Sequence, residues 1–125
     1  MDRKTESKLK RELIVWLVTA GKDLKPQSVP VWFLWTDGSF LIYAQDGVKV
    51  RHIRENPNVE LHLDTDEAGD IVVRASGEAT IAKETKPDPA YVRKYRSAIK
   101  NLGMSVDGFF ETYHNPIVVR RLRFH

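Results

Sequence analysis

The sequence contains no cysteine. This absence excludes disulfide bonds, thiolate nucleophiles, iron–sulfur clusters and zinc sites built on thiolates. Long apolar runs are missing as well. The longest, residues 13–18, is much shorter than the roughly 20 residues of a membrane-spanning helix, and a charged segment precedes it without forming a secretory signal. We therefore expect no membrane span and a cytoplasmic location.

The seven glycines fall in none of the common phosphate-binding motifs. Neither G-x-G-x-x-G nor G-x-x-x-x-G-K-[ST] occurs, and no serine lies in G-x-S-x-G. The four histidines form no H-E-x-x-H motif and no i, i+4 pair, so we expect no metal site. No two carboxylates share an apolar setting that would suit acid–base catalysis. The sequence thus predicts no catalytic side chain, and an enzyme of this kind would depend on a bound cofactor.

What is present is the composition of a folded protein. The chain has 125 residues, of which 42% are hydrophobic and 30% charged, which predicts a single domain over residues 1–125. Its net charge of +3 is compatible with an anionic partner. The basic residues lie in separate groups and accompany no nucleic-acid-binding motif, so we do not expect a nucleic-acid partner.

Hydrophobic spacing defines the elements of the first half. We predict a helix over residues 2–18, strands over residues 28–35 and 40–43, and a helix over residues 47–56. The first helix is based on Leu9, Leu13 and Trp16, which recur at helical spacing. The two strands are joined by Asp37-Gly38, a strong hairpin signal because both turn residues need positive φ.

The second half continues with strands and two further helices. We predict strands over residues 59–63, 71–82 and 117–124, a helix over residues 91–102, and a short helix between a capping Ser105 and Asn115. The sum is about five antiparallel strands with peripheral helices. Because strands and helices do not alternate as βαβ units, the fold is α+β or a small barrel, and not a doubly wound dinucleotide fold.

One segment has the features of an anion-binding site. Lys49 falls in the first turn of a predicted helix, where the helix dipole disfavours a cation unless an anion is near. Exposed N–H groups near Gly47 and the Lys49 side chain would together form a phosphate site. The alternative is a solvated lysine on a helix that Asp46 caps, with Arg51 paired to Glu55.

The strand at residues 28–35 is apolar on both of its faces. Its second face must therefore be covered. A helix, a second copy of the chain or a flat aromatic ligand would each do so, and ordinary core packing is the commonest reason for any single aromatic residue.

Three segments, read in order, resemble one known family. They are SVPVWFLWTDGSFLIYAQDGVKVRHIRENPNVELHL, IVVRASGEATI and AYVRKYRSAIKNLGMSVDGFFETYHNPIVVRRLR, with P-V-W-F, K-x-R-x-I-x-x-N-P and A-Y-x-x-K-Y…G-M as the most specific pieces. They resemble the flavin and deazaflavin oxidoreductases of the pyridoxamine 5'-phosphate oxidase-like split β-barrel superfamily, most of all its small branch that uses coenzyme F420. The resemblance implies a mainly β (α+β) split barrel of antiparallel strands with peripheral helices.

The resemblance also implies a homodimer with the cofactor in a groove between subunits. The implied cofactor-binding residues are Pro30, Val31, Trp32, Ala44, Gln45, Lys49, Arg51, His52, Val72 and Arg74. Lys49 would hold the phosphate, Pro30 to Trp32 would form the ring wall, and the second subunit's Val72 and Arg74 would close the groove. His52 replaces the asparagine common in these relatives, and Asp46 stands where a hydroxyl or proline is usual.

The activity that the resemblance implies is hydride transfer between coenzyme F420 and an unsaturated organic substrate. One alternative is an FMN-dependent oxidoreductase on the same fold. Another is a non-catalytic protein that binds a flavin, a deazaflavin or a haem-derived pigment. Relatives that oxidise pyridoxamine phosphate have a basic first strand and a basic, aromatic tail. This chain has an apolar strand and the short ending Arg123-Phe124-His125, so we do not expect that activity.

Overall fold

A computed structural model describes residues 1–69, 72–83 and 86–125. Within these ranges the chain forms seven strands and four helices. In chain order they are α1 (Arg3–Arg11), β1 (Val15–Ala20), β2 (Pro26–Val31), β3 (Leu34–Thr36), β4 (Ser39–Ala44), α2 (Val48–Glu55), β5 (Asn58–His62), β6 (Arg74–Ile81), α3 (Pro89–Asn101), α4 (Val106–Thr112) and β7 (Asn115–Phe124).

The strands form one antiparallel sheet in the order β2-β1-β5-β6-β7-β4-β3. The two edge strands, β2 and β3, follow each other in the chain and are separated only by Trp32 and Phe33. The sheet must therefore curl until its edges approach each other at this corner. The result is a curled half-barrel with four helices, which confirms the α+β split-barrel class.

The sheet's concave side holds the larger hydrophobic core. Leu17 of β1, Ile42 of β4 and Ile117 of β7 are each fully buried there, together with Phe33 at the corner. Alternating side chains of paired strands supply this core, as expected for a curled antiparallel sheet.

The predicted helix over residues 2–18 is wrong in its second half. Helix α1 ends at Arg11, and residues from Val15 onward form β1, whose side chains alternate between buried and partly exposed. β1 lies between β2 and β5 in the sheet, so tertiary pairing determines its conformation. Its β-branched and aromatic residues favour a strand, and their apolar spacing matched a helical stripe by coincidence. Leu13, placed on that stripe, is 55% exposed.

The single strand predicted over residues 28–35 is also wrong. It is two strands, β2 and β3, on opposite edges of the sheet. The chain leaves the ladder at Phe33, whose backbone N–H donates to the Tyr95 hydroxyl at 2.9 Å. The same hydroxyl lies 2.9 Å from the Phe33 carbonyl oxygen, so a side chain of α3 takes over the backbone pairing that a continuous strand would provide.

The hairpin and the later helices agree with their sequence signals. Asp37 and Gly38 have φ of 50° and 70°, and Thr36 pairs directly with Ser39 across the turn. The Ser105 hydroxyl accepts a hydrogen bond from the Gly108 N–H at 3.0 Å and caps α4. In each case the local sequence specifies the turn or cap.

The long strand predicted over residues 71–82 is observed as β6, which begins at Arg74; residue 71 lies outside the described residues. Its pairing with β7 is irregular between Ser76 and Glu78. The last strand, β7, begins two residues earlier than predicted, because Asn115 and Pro116 pair with β4.

Helices α3 and α4 pack on the outer side of the corner. They contribute most of an aromatic cluster that consists of Trp32, Tyr43, Tyr91, Tyr95, Phe109, Phe110 and Tyr113. This cluster covers the second apolar face of the strand region at residues 28–35, so packing against helices accounts for much of that pattern. No helix in the described ranges is long and apolar enough to cross a membrane.

Candidate functional site

A pocket of about 370 Å³ lies at the corner where the two sheet edges approach each other. Its lining consists of Ile14, Pro30, Val31, Trp32, Tyr43, Ala44, Lys49, Tyr91, Leu102, Phe109 and Tyr113. One wall comes from β2, β4 and the first turn of α2, and the other comes from α3, α4 and their connection. The volume is within the range of small-ligand sites, and the lining is apolar except for one cation and three tyrosine hydroxyls.

Stacked rings fix the orientation of Trp32 in this pocket. Its ring lies 4.7 Å from that of Tyr95 with an interplanar angle of 3°, and 5.4 Å from that of Phe109 with an angle of 13°. Phe109 stacks in turn on Tyr113 at 4.4 Å. Offset stacking of this kind holds rings in parallel planes. The pocket therefore has a rigid aromatic side that suits a flat, apolar ligand.

Lys49 is the only cation of the lining, and it is half-buried. Burial lowers the pKa of Lys49 below its ordinary value, because desolvation disfavours the charged form. No carboxylate forms an ion pair with its Nζ in the described part of the chain. The first turn of α2 contains no acidic residue, and its N-cap residue Gly47 provides no side-chain acceptor. Lys49 and the start of α2 thus present positive charge that an anion would neutralise.

Asp46 does not cap α2, contrary to the alternative considered from the sequence. Its Oδ1 accepts a hydrogen bond from Asn115 Nδ2 at 2.9 Å and lies 3.3 Å from His114 Nε2. These two hydrogen bonds, to Asn115 first, hold the pKa of Asp46 below its usual range. The carboxylate is therefore engaged by β7 and the residue before it, and the backbone N–H groups at the start of α2 keep no side-chain cap.

The ion pair between Arg51 and Glu55, part of the same alternative, is likewise not formed among the described residues. Glu55 Oε1 instead accepts a hydrogen bond from the Lys22 backbone N–H at 3.1 Å. Arg51, two residues after Lys49 in α2, is exposed.

The structure brings half of the residues named from the resemblance into this pocket. Those that line it are Pro30, Val31, Trp32, Ala44 and Lys49. Those outside its lining are Gln45, Arg51, His52, Val72 and Arg74. His52 is buried on another side of α2, where its Nδ1 lies 3.0 Å from the Thr19 hydroxyl of β1. Gln45, Val72 and Arg74 are exposed; Arg74 begins β6 and Val72 lies two residues before it.

The helical wall of the pocket was not identified from the sequence. The sequence predicts only the two helices to which Tyr91, Phe109 and Tyr113 belong. Their meeting point with β2 depends on how α3 and α4 pack, which no local pattern specifies. A usable signal was present nonetheless, because tyrosine at a core position has a hydroxyl that needs a partner.

A larger groove, of about 640 Å³, lies between α2, β6 and β7. It is shallow, and Arg54, Lys83 and His114 are its basic residues. It contains no aromatic ring other than the His114 imidazole, so it lacks the flat apolar wall of the smaller pocket.

Comparison with known proteins gives one family. Residues 1–123 match the family model described as pyridoxamine 5'-phosphate oxidase. No curated protein sequence matches the chain.

Solved structures share the fold. An F420 reductase superposes with a TM-score of 0.67 at 20% identity and covers 100% of this chain and 96% of its own. A FAD-binding protein from Mesorhizobium loti gives 0.60 at 18%, with coverage of 99% and 94%. HutZ, the haem storage protein from Vibrio cholerae, gives 0.60 at 13%, with coverage of 97% and 89%. These three proteins share one fold and are named for different ligands, so the fold alone does not define the ligand. The family match, which spans nearly the whole chain, confirms the resemblance seen in the sequence: the chain belongs to the pyridoxamine 5'-phosphate oxidase family.

Proposed function

We propose that this chain is a cofactor-dependent oxidoreductase that uses coenzyme F420 to move a hydride between its deazaflavin ring and an unsaturated organic substrate. The observation that carries the proposal is the pairing of a flat, aromatic pocket with one half-buried cation at its edge. A ligand that fits both features has a planar aromatic ring system and an anionic tail. Coenzyme F420 and FMN both have this form.

Lys49 is the proposed anchor for the tail. Its positive charge and the uncapped N–H groups at the start of α2 favour an anion, and the Asp46 carboxylate is engaged by Asn115 and His114. Arg51 and Gln45 are exposed and close to Lys49 in sequence, and we propose that they border the tail. His52 packs against Thr19 and would act only by supporting α2.

Pro30, Val31, Trp32 and Ala44 are the proposed ring wall. A bound deazaflavin would supply the hydride chemistry, so the protein needs to orient two reactants and exclude water. The stacked rings of Trp32, Tyr95 and Phe109 keep that wall flat before any ligand binds, which lowers the entropic cost of binding. This fits a chain whose sequence offers no acid–base pair.

We further propose that the protein acts as a homodimer of a single domain over residues 1–125. Val72 is 51% exposed, unusually open for a valine. In a dimer the partner's Val72 and Arg74 would close the open side of the pocket.

The haem-binding alternative would need an axial ligand from the same lining. Haem iron in proteins takes histidine, cysteine, methionine or tyrosine as its axial ligand. The pocket contains tyrosines but no histidine, methionine or cysteine among its lining residues. Its single lysine suits a tail with a phosphate at least as well as a propionate.

The test is a side-by-side titration of the purified protein with coenzyme F420 and FMN, by thermal shift and by equilibrium binding. A ligand at 100 times its Kd stabilises a protein by about 2.7 kcal/mol, well within reach of a melting curve. Selective stabilisation by coenzyme F420, followed by oxidation of the reduced cofactor in a panel of unsaturated acceptors, would support the proposal. Preference for FMN would establish the FMN-dependent alternative. No response to either would contradict cofactor-dependent oxidoreduction.

A further inference from the structure

Tyr91 presents a hydroxyl group without a hydrogen-bond partner in the wall of the pocket. The residue is fully buried, and its hydroxyl is the one buried side-chain polar atom without a partner in the described part of the chain. Burial raises the pKa of Tyr91 well above its ordinary value, so the group stays protonated and remains a donor.

The other two tyrosines buried in the same cluster each have at least one hydrogen-bond partner. The Tyr43 hydroxyl accepts from the Asp88 N–H at 3.0 Å. The Tyr95 hydroxyl accepts from the Phe33 N–H at 2.9 Å and donates to the Leu13 carbonyl at 2.7 Å. Buried polar groups in folded proteins are nearly always bonded, so the exception at Tyr91 needs an explanation.

The Tyr43 backbone N–H, which lies near Tyr91, does not supply the acceptor that the Tyr91 hydroxyl lacks. That amide partly offsets the rise in the pKa of Tyr91, but it forms no hydrogen bond of ordinary geometry with the Tyr91 hydroxyl. An N–H group can only donate to the tyrosine oxygen. The hydroxyl hydrogen of Tyr91 would still lack an acceptor.

We propose that Tyr91 is a specificity-determining residue of this pocket, and that its O–H donates to an acceptor atom of the organic substrate. The inference depends on the pocket being the ligand site of the proposed function. Tyr91 lies on α3, in the helical part of the pocket lining, whereas Lys49 lies on α2. We therefore assign the Tyr91 hydroxyl to the substrate and Lys49 to the cofactor tail. The hydroxyl has almost no water-accessible surface, so the proposal requires a small shift of the Tyr91 side chain or its neighbours for an acceptor to reach it.

The proposal defines a substrate class. A site with a buried donor rejects analogues without the matching acceptor, because they leave that donor unpaired in a desolvated place. The substrate is therefore a flat molecule with a carbonyl or comparable acceptor. A plain hydrocarbon of the same shape would bind less tightly.

The test uses two probes that differ in one acceptor, 1-tetralone and tetralin, with the wild type and Tyr91→Phe. We expect the wild type to bind the ketone about tenfold more tightly than the hydrocarbon, a difference of the size of one hydrogen bond. We expect Tyr91→Phe to bind both equally. Ser97→Ala, which removes an exposed hydroxyl on the same helix outside the pocket lining, is the control and should keep the preference.

The melting temperature of the ligand-free protein is a second measurement. Tyr91→Phe should weaken ketone binding but raise this temperature. Without ligand, Tyr91→Phe should melt a few degrees higher than the wild type, because it removes an unpaired buried hydroxyl and keeps the ring. An unchanged ketone preference in Tyr91→Phe, or no preference in the wild type, would overturn the proposal. The probes need no cofactor, so this result is separate from the titration with coenzyme F420 and FMN.

Discussion

The carboxylate of Asp46 accepts a hydrogen bond from the side-chain amide of Asn115 at 2.9 Å. Asp46 directly precedes Gly47, the N-cap residue of α2, where an aspartate would ordinarily turn back and cap the helix. Asn115 prevents this because its amide is itself fixed by the Ala44 carbonyl oxygen at 3.1 Å. The start of α2 thus keeps its unpaired N–H groups beside Lys49.

This relationship predicts the effect of Asp46→Asn. The substitution removes a negative charge next to the proposed anion site, so we expect the affinity for a phosphate-bearing cofactor to increase about twofold at low salt. The gain should vanish at high salt, since the side chain is largely exposed and screening is effective there. Equilibrium titration at two ionic strengths measures both effects. A weaker affinity in the variant would show that Asp46 contributes to binding.

Tyr95→Phe should destabilise the protein by about 1–3 kcal/mol. The change removes the hydroxyl that bonds to the Phe33 backbone at the break between β2 and β3 and to the Leu13 carbonyl. Buried backbone groups then lose their partner, whereas Tyr91→Phe, one helical turn away, removes an unpaired group and should stabilise. Urea unfolding of the two variants measures this contrast. Equal effects of the same sign would contradict the hydrogen-bond assignment.

The lowered pKa of Lys94 makes the free energy of unfolding depend on pH. Its Nζ donates to the Phe33 carbonyl oxygen at 2.8 Å and lies 4.0 Å from the centroid of the Phe33 ring. Desolvation lowers the pKa of Lys94 to about 8 from a model-compound value of 10.5, and Glu12 offsets part of the shift. Between these values the unfolded chain binds more protons than the folded one, so the contribution of Lys94 to stability increases with pH.

The measurement is urea unfolding of the wild type and Lys94→Met at pH 7, 8, 9 and 10. We expect the difference between them to move in favour of the wild type from about pH 8 upward and to be flat below it. Titration of the tyrosines affects both proteins alike and cancels in this difference. Lys100→Met, an exposed change on the same helix, serves as the control. A difference that is flat to pH 10 would contradict the burial of Lys94.

The parts of the fold that local chemistry specifies could be predicted from the sequence. The turn at Asp37-Gly38, the cap at Ser105 and the limits of α2 depend on neighbouring residues alone. The conformation of β1 could not be predicted, because its apolar residues satisfy a helical stripe as well as a strand. Only its position between β2 and β5 decides between the two.

The candidate site also has parts that the sequence predicts and parts that it does not. Two parts of the site have local signals in the sequence. Lys49 is a cation in the first turn of a helix, and the segment from Pro30 to Trp32 is an apolar run with two nonpolar faces. The helical wall has no such signal, because Tyr91 meets β4 only through the packing of α3 on the sheet. His52 illustrates a related limit, since its burial against Thr19 depends on which side of α2 faces β1.

The most direct test of the account is the dissociation constant of coenzyme F420 for the wild type and Lys49→Ala. Loss of a half-buried cation that binds an anion should weaken binding at least tenfold, by roughly 1.5–3 kcal/mol. Lys25→Ala, an exposed change directly before β2 and at the end of that strand away from Pro30, should bind like the wild type. The account predicts this selective loss, and an unchanged dissociation constant in Lys49→Ala would contradict it.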